Sequence, residues 1–356
     1  MSSRFLEACK RRATDVRPVW FMRQAGRYLK PYREIRAKHS ILEICKKPEL
    51  AAAVTLQPVE ILDVDAAIIF ADLLLPLEPM GLKIEFVAGE GPSIDNPISA
   101  PEDIDDLSTD NTDDLGYVGE AIQMVTKILA GRVPVIGFVG APFTVASYMI
   151  EGGPSKTFLK TKRLMYNNET MWRRLAGKLV DVLGDFAAIQ VQAGARAIQV
   201  FDSWVGALSP EDYVRYVQPY SRALIERVRS STTPVIHFGT GAGGFFKELH
   251  AAGGDVIGVD WRINIDQAWM DIGYRSAIQG NLDPVALFAP MPELRQKVTD
   301  LLRRTGTRPG HIVNLGHGIL PETPVDNVRR LVDFVHACSS TQRTESECEV
   351  EEREQA

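Results

Sequence analysis

Short apolar runs recur along the chain at intervals that leave room for a helix between most neighbouring pairs. They are VWFM near Val19, AAIIF from Ala66, PVIGFV from Pro134, AIQVF from Ala197, PVIHF from Pro234, DVIGVD from Asp255, AIQG from Ala277 and HIVNL from His311. Each run is nearly continuous rather than alternating, the pattern of a strand buried on both faces. Amphipathic stretches separate the runs, and several open on cap signals. Ser40 and Glu43 have capping-box spacing, and Ser209-Pro210 precedes EDYVRYVQPYSRALIERV with Asp212 at the third helical position. Asp283-Pro284 opens another helix, and Thr323-Pro324 opens the last, with Asp326 placed for a further box. Strand-helix alternation predicts parallel strands joined by right-handed crossovers. Eight strands in one chain of 356 residues favour an α/β fold with a single closed (β/α)8 barrel of the TIM type over a doubly wound sheet.

Two segments break the alternation. LKIEFVAGEGPSI, between the second and third runs, reads as a hairpin, and PEDIDDL after it as an acidic loop. From Ser339 the chain becomes SSTQRTESECEVEEREQA, polar and acidic, which predicts a barrel unit over 1–338 and a disordered tail over 339–356.

Composition narrows the partners. Hydrophobic residues make up 45% and charged residues 24%, the balance of a soluble globular protein. A net charge of −6 argues against nucleic acid as the main partner, since phosphate neutralisation needs a basic face. The four cysteines, Cys9, Cys45, Cys338 and Cys348, form no CxxC pair, which fits a reducing compartment without structural zinc. No apolar stretch approaches the roughly 20 residues of a membrane span. The N-terminal MSSRFLEACKRRATD lacks the apolar centre of a secretory signal, so a cytoplasmic location is the default.

Against this acidic background the run PVWFMRQAGRYLKPYREIR stands out, setting Arg23, Arg27, Arg33 and Arg36 around a turn at Gly26. Guanidinium groups match carboxylate or phosphate two bonds at a time, so the cluster points to a polyanion. Arg33 and Arg36, on one helix face after Pro31, equally fit a solvated basic surface. Arg23 and Arg27 flank the turn at a strand exit, where a barrel carries its chemistry. Other polar residues at strand exits are Asp72 in AAIIFADLLLP, Tyr148 after the third run, Ser203 in QVFDSWVG and His317 in NLGHGILP. Asp72 lies between apolar IIF and LLL, where an ionised carboxylate needs donors around it. It reads as a cation-stabilising or N–H-binding group, or as a helix cap or an ion pair with an arginine. His317, between two glycines, is poorly placed to pack in a core. Tyr148 could be an ordinary wall residue, Ser203 a turn hydroxyl and His237 a satisfied barrel residue.

One motif pulls elsewhere. Gly239, Gly241 and Gly244 form a literal GxGxxG after a strand, with Asp260 at the spacing of a dinucleotide fingerprint. It begins at the fifth strand rather than opening an N-terminal nucleotide-binding half, and glycine-rich loops after barrel strands also bind phosphates or simply permit tight turns.

PVWFMRQAGRY from Pro18 resembles the N-terminal signature of the uroporphyrinogen decarboxylases, and GFVGAPFTVASYMIEGG from Gly137 is similar to their second signature. The likeness runs from about Phe5 to about Ala337. It implies a cofactor-independent carboxy-lyase with no metal, acting on the four acetate side chains of uroporphyrinogen and assembled as a homodimer. It implies that Arg23 and Arg27 bind substrate carboxylates, with Arg23 also near the reacting acetate. Asp72 would meet the central pyrrole N–H groups, Tyr148, Ser203 and His317 would supply the remaining polar contacts, and Phe201 an apolar wall. Of these, Arg23, Asp72, Tyr148 and His317 are the expected catalytic residues. Tyr32 stands where the family pattern has an apolar aromatic, and HFGTGAGG also departs from it. A related methyltransferase branch uses a His-x-Cys zinc set with a later cysteine. The matching stretch here is His237-Phe238-Gly239 and the later position is His317, so no thiolate is available. A porphyrin-binding protein without catalysis is the remaining alternative.

Overall fold

The computed structural model describes residues 3–87, 91–230 and 232–339. Its strands are β1 (Ala67–Ile68), β2 (Ile84–Val87), β3 (Gly91–Ile94), β4 (Val135–Gly140), β5 (Ala197–Asp202), β6 (Val235–Gly239), β7 (Val256–Gly258), β8 (Ala277–Gln279) and β9 (His311–Ile312). β1 and β4 to β9 form one parallel sheet in the order β1-β4-β5-β6-β7-β8-β9, while β2 and β3 pair as the expected antiparallel hairpin. The register of the longest pairs, Phe138 opposite Gln199 and Val200 opposite His237, keeps the strand exits level at one end.

The first apolar run forms a single bridge, Val19 to Val313, rather than a ladder. Its neighbouring donors are taken by side chains: Phe21 N–H donates to Gln24 Oε1 and Met22 N–H to Asn314 Oδ1. Even so, the Pro18–Trp20 segment bonds to both edges of the sheet. Trp20 N–H donates to Val313 O and Val313 N–H to Pro18 O, while Asp65 N–H donates to Val19 O. The sheet is therefore curled, and this segment bonds to residues just before β1 and just after β9. Inside it a polar chain crosses the apolar core: Trp20 Nε1 donates to Gln279 Oε1 at 2.9 Å, and Gln279 Nε2 to Gln199 Oε1 at 3.1 Å.

Cap signals fare unevenly. The Ser40–Glu43 box forms in full. Ser209 accepts the Asp212 N–H, but the Asp212 carboxylate accepts from the Tyr166 hydroxyl. Asp283-Pro284 opens only a 3-10 turn, Pro284–Phe288, and the α-helix starts afresh at Met291. Pro290 biases Ala289 away from helical geometry, and Ala289 is extended. No box forms at Thr323 and Asp326. Pro324 is itself extended, the helix Val325–Cys338 begins one residue later, and the buried Thr323 Oγ1 finds no partner. The acidic stretch from Pro101 is a short helix, Pro101–Asp105, rather than a loop. Ser339 ends the last helix and accepts the Arg17 N–H; the rest of the expected tail lies outside the described residues.

Candidate active site

The Arg23 turn is built from groups the eye passes over in the sequence. Arg23 itself sits at φ +60°, a conformation that disfavours a side chain. The fully buried Gln24 holds it there, accepting from Phe21 N–H and donating to Ala66 O, while the Tyr28 hydroxyl donates to Gln24 O at 2.7 Å. Gly26 is required by closeness: a Cβ there would stand 3.0 Å from Arg23 O. Arg23 and Arg27 are exposed, whereas Arg33 is spent on the turn, donating to the carbonyls of Arg27 and Tyr28. Arg36 likewise donates to His39 O. Arg27 and Arg36 both lie near Tyr32, which is buried against Phe70 with ring centroids 5.6 Å apart.

Asp72 follows β1 and turns the chain by accepting Leu74 N–H at 2.9 Å, ahead of the buried Leu74, Leu75 and Leu77. It thus caps its own turn, and among the described residues it forms no ion pair within 4.0 Å. Burial pushes its carboxyl above the ordinary value; the Leu74 N–H and the charge of Arg23 pull it back. Tyr148 lies on the helix Pro142–Glu151 after β4 and packs edge-on against Trp204 at 5.3 Å. Burial, then the Asp72 carboxylate, push its hydroxyl up to about 12, with Arg23 opposing.

His317 is held by its two glycines. A Cβ on Gly316 would stand 2.3 Å from Trp261 N, and one on Gly318 would stand 2.5 Å from Arg23 Cδ. The imidazole meets the Trp261 ring edge-on at 6.3 Å. Burial lowers its pKa to about 4, helped by Arg23 and Arg262 and opposed by Asp260, so it is neutral at pH 7. Asp72, Tyr148 and His317 therefore gather around Arg23 at one end of the sheet, all three linked to it electrostatically.

Phe201, the penultimate residue of β5, lies between Phe138 and Phe238, with centroids 5.6 and 6.3 Å away. Ser203 stands beside Trp204 at that same exit, half-buried. Arg27 reaches Tyr32 rather than the central cluster.

The glycine-rich loop bonds within the protein. Gly241, at φ +72°, donates its N–H to Asp260 Oδ2 at 2.5 Å, and the same carboxylate accepts Arg262 N–H and Arg262 Nη1. The acidic residue of the dinucleotide pattern is thus already bonded from both oxygens. His237 is fully buried, with Nδ1 3.3 Å from Gly253 O and an unpartnered Nε2 3.9 Å from Asp202. It is only half satisfied. Among the described residues no group of three or more His, Cys, Asp or Glu is disposed to hold a metal ion. None of their helices is long and apolar enough to cross a membrane.

Gln24, Trp261 and Arg262 were not among the expected site residues. Gln24 and Trp261 look apolar-adjacent and local in sequence; their neighbours are 42 and 56 residues away, at Ala66 and His317.

Residues 1–338 match the family model described as uroporphyrinogen decarboxylase (URO-D). The chain is 76% identical over 335 residues to a protein of Solibacter usitatus named uroporphyrinogen decarboxylase, covering 94% of this chain and 97% of that one. It is 53% identical over 341 residues to one of the same name from Carboxydothermus hydrogenoformans, with 96% and 97% covered. Among solved structures, a methyltransferase from Methanosarcina mazei superposes with a TM-score of 0.79 over 93% of this chain and 97% of that one. At 20% identity that likeness concerns the fold alone.

Proposed function

Because the chain belongs to the uroporphyrinogen decarboxylase family, we propose that the cluster around Arg23 and Asp72 removes carbon dioxide from the four acetate side chains of uroporphyrinogen III, yielding coproporphyrinogen III for tetrapyrrole biosynthesis. The observation that carries this reading is the joint placement of Arg23, Asp72, Tyr148 and His317 on a chain 76% identical to a named decarboxylase. An eight-fold carboxylate substrate accounts for exposed arginines in a protein of net charge −6.

Loss of carbon dioxide from a pyrrole acetate leaves an electron pair that must be accepted. Protonating the adjacent ring carbon makes the pyrrole a cation. The C–CO2 bond then breaks into that ring, giving an exocyclic methylene. A proton on the methylene carbon makes the methyl group, and release of the ring proton restores the pyrrole, for a net uptake of one proton. Asp72, fixed by Leu74 N–H before the reaction, stabilises that cation without reorganising, and its other oxygen remains for pyrrole N–H groups. Arg23 and Arg27 hold carboxylates of the substrate, and Tyr148, Ser203 and the neutral His317 give uncharged hydrogen bonds at the rim. Phe201, between Phe138 and Phe238, supplies an apolar wall that keeps the electrostatics strong.

The Pro18–Trp20 segment, bonded to Val313 on one side and Asp65 on the other, supports a closed (β/α)8 barrel over 1–338 with the first run as the eighth stave. The family resemblance supports a homodimer working in the cytoplasm without a cofactor.

Anaerobic incubation of chelator-treated protein with uroporphyrinogen III, then oxidation and chromatographic counting of carboxylates, tests the activity. Stepwise loss from eight to four with nothing added is expected. Retention of all eight by folded protein overturns the reading.

A further inference from the structure

A guanidinium that no signature motif contains stands beside His317. Arg262 lies four residues past the end of β7, at the strand-exit end that carries Arg23, Asp72 and Ser203. Its guanidinium stacks on the neighbouring indole, with the guanidinium carbon 4.0 Å from the Trp261 ring centroid, and Trp261 in turn meets His317. Its Nη1 donates to Asp260 Oδ2 at 2.7 Å. The side chain is nevertheless 52% exposed, whereas that of Asp260 is 2% exposed.

The loop under it is held from several directions. Asn281 Nδ2 donates to Asp260 O at 2.8 Å and to Ile263 O at 2.7 Å, and the Asp260 carboxylate accepts the backbone N–H groups of Gly241 and Arg262. Gly316 presses on the Asp260–Trp261 backbone. Two backbone donors already satisfy Asp260, so the ion pair is not needed merely to settle that carboxylate. Its effect on Arg262 is larger: one nitrogen and one face are fixed while the outer edge stays open to solvent. An arginine ordered in advance loses less entropy when a carboxylate arrives. The position is also electrostatically coupled to the site, since Arg262 and Arg23 act together on His317.

We propose that Arg262 is a third carboxylate-binding arginine of this site, gripping a peripheral side chain of the substrate on the Trp261 flank of His317 while Arg23 serves the Gly318 flank. The inference rests on the substrate being a polycarboxylate, as argued above, and adds a residue that sets affinity rather than chemistry.

The test is fluorescence titration with uroporphyrin, which carries eight carboxylates, and coproporphyrin, which keeps only the four propionates. Wild type is compared with Arg262→Gln, which keeps a donor for Asp260 but removes the charge, and with Arg262→Ala. Uroporphyrin binding is expected to weaken about tenfold in both, the loss of one charge-assisted contact. The difference from wild type should shrink as salt rises. A parallel loss for coproporphyrin assigns the grip to a propionate; a loss for uroporphyrin alone assigns it to an acetate. Unchanged uroporphyrin affinity in Arg262→Gln, with or without a lowered melting temperature, overturns the proposal and leaves Arg262 as a brace for Asp260. Because binding is read directly, the result stands apart from turnover. A wild-type enzyme that binds uroporphyrin but releases no carbon dioxide from uroporphyrinogen refutes the decarboxylase reading, not the role of Arg262.

Discussion

The side chain of Arg23 crosses Gly318 so closely that a Cβ on the glycine would stand 2.5 Å from Arg23 Cδ and 2.7 Å from Cγ. The neighbour that must give way is a flexible side chain. Gly318→Ala should therefore fold, with a stability change within about 1 kcal/mol, while Arg23 swings out of position. Turnover with uroporphyrinogen should fall at least tenfold although the melting temperature barely moves. Gly316→Ala makes the contrast, because its Cβ would meet Trp261 N, a backbone atom, at 2.3 Å. That variant should lose about 1–3 kcal/mol in a urea titration, as overpacked sites do. Equal effects on stability in the two variants would contradict the distinction.

Asp72→Asn keeps the shape of the side chain and an oxygen for the Leu74 N–H, but it removes the charge. If the carboxylate stabilises a cationic ring, kcat should drop by roughly a hundredfold or more while porphyrin affinity changes only a few-fold. Single-turnover measurement separates the two. Wild-type kcat in this variant would leave Asp72 as a turn cap.

Arg23→Ala and Arg27→Ala should each weaken binding of the octacarboxylate, and the deficit should be largest at low ionic strength, where exposed charges are least screened. Titrations at several salt concentrations read this directly. A deficit that stays constant with salt would point to damaged folding of the turn instead. Tyr32, beside Arg27 and buried against Phe70, makes such damage a real competitor that circular dichroism can detect.

These residues differ in how visible they are in the sequence, and the reasons are physical. Strands such as Val135–Gly140 and Ala197–Asp202 are legible because burial on both faces leaves unbroken apolar runs. Val19 is apolar in the same way, yet it forms only a bridge, because the side chains of Gln24 and Asn314 take the N–H groups of Phe21 and Met22. His317 announces itself through flanking glycines, whose need for close approach is a local signal. Arg262 does not: its carboxylate partner, Asp260, lies only two residues back and reads as the acidic end of a dinucleotide pattern, while the contact of Trp261 with His317 spans 56 residues. The capping motif at Thr323 was legible and still failed, because an extended Pro324 moved the helix start by one residue.

His317 also makes stability depend on pH with a definite sign. Its pKa is about 4 in the folded protein, against an ordinary value of 6.5, and His311, fully buried beside Thr305 and Gly280, is lowered to about 3. Between these limits the unfolded chain binds the proton and the folded one does not. The stability these two histidines contribute is thus intact above pH 6.5 and falls as pH drops, by about 1.4 kcal/mol per pH unit for each group within its window. Asp72 acts in the opposite sense: its raised carboxyl lets the folded state keep a proton above pH 3.8, so its share declines as pH rises there. Urea titrations from pH 7 to pH 4.5 should show the histidine slope dominating. His317→Gln should lower that slope by one proton's worth while leaving the part due to His311, and an unchanged slope would mean that His317 is not desolvated. Occupancy by a polycarboxylate adds negative charge next to the imidazole and raises its pKa. Binding of uroporphyrin near pH 5 should therefore include proton uptake by His317, seen by calorimetry in buffers of different ionisation enthalpy, and His317→Gln should shift the net proton exchange toward release by that share.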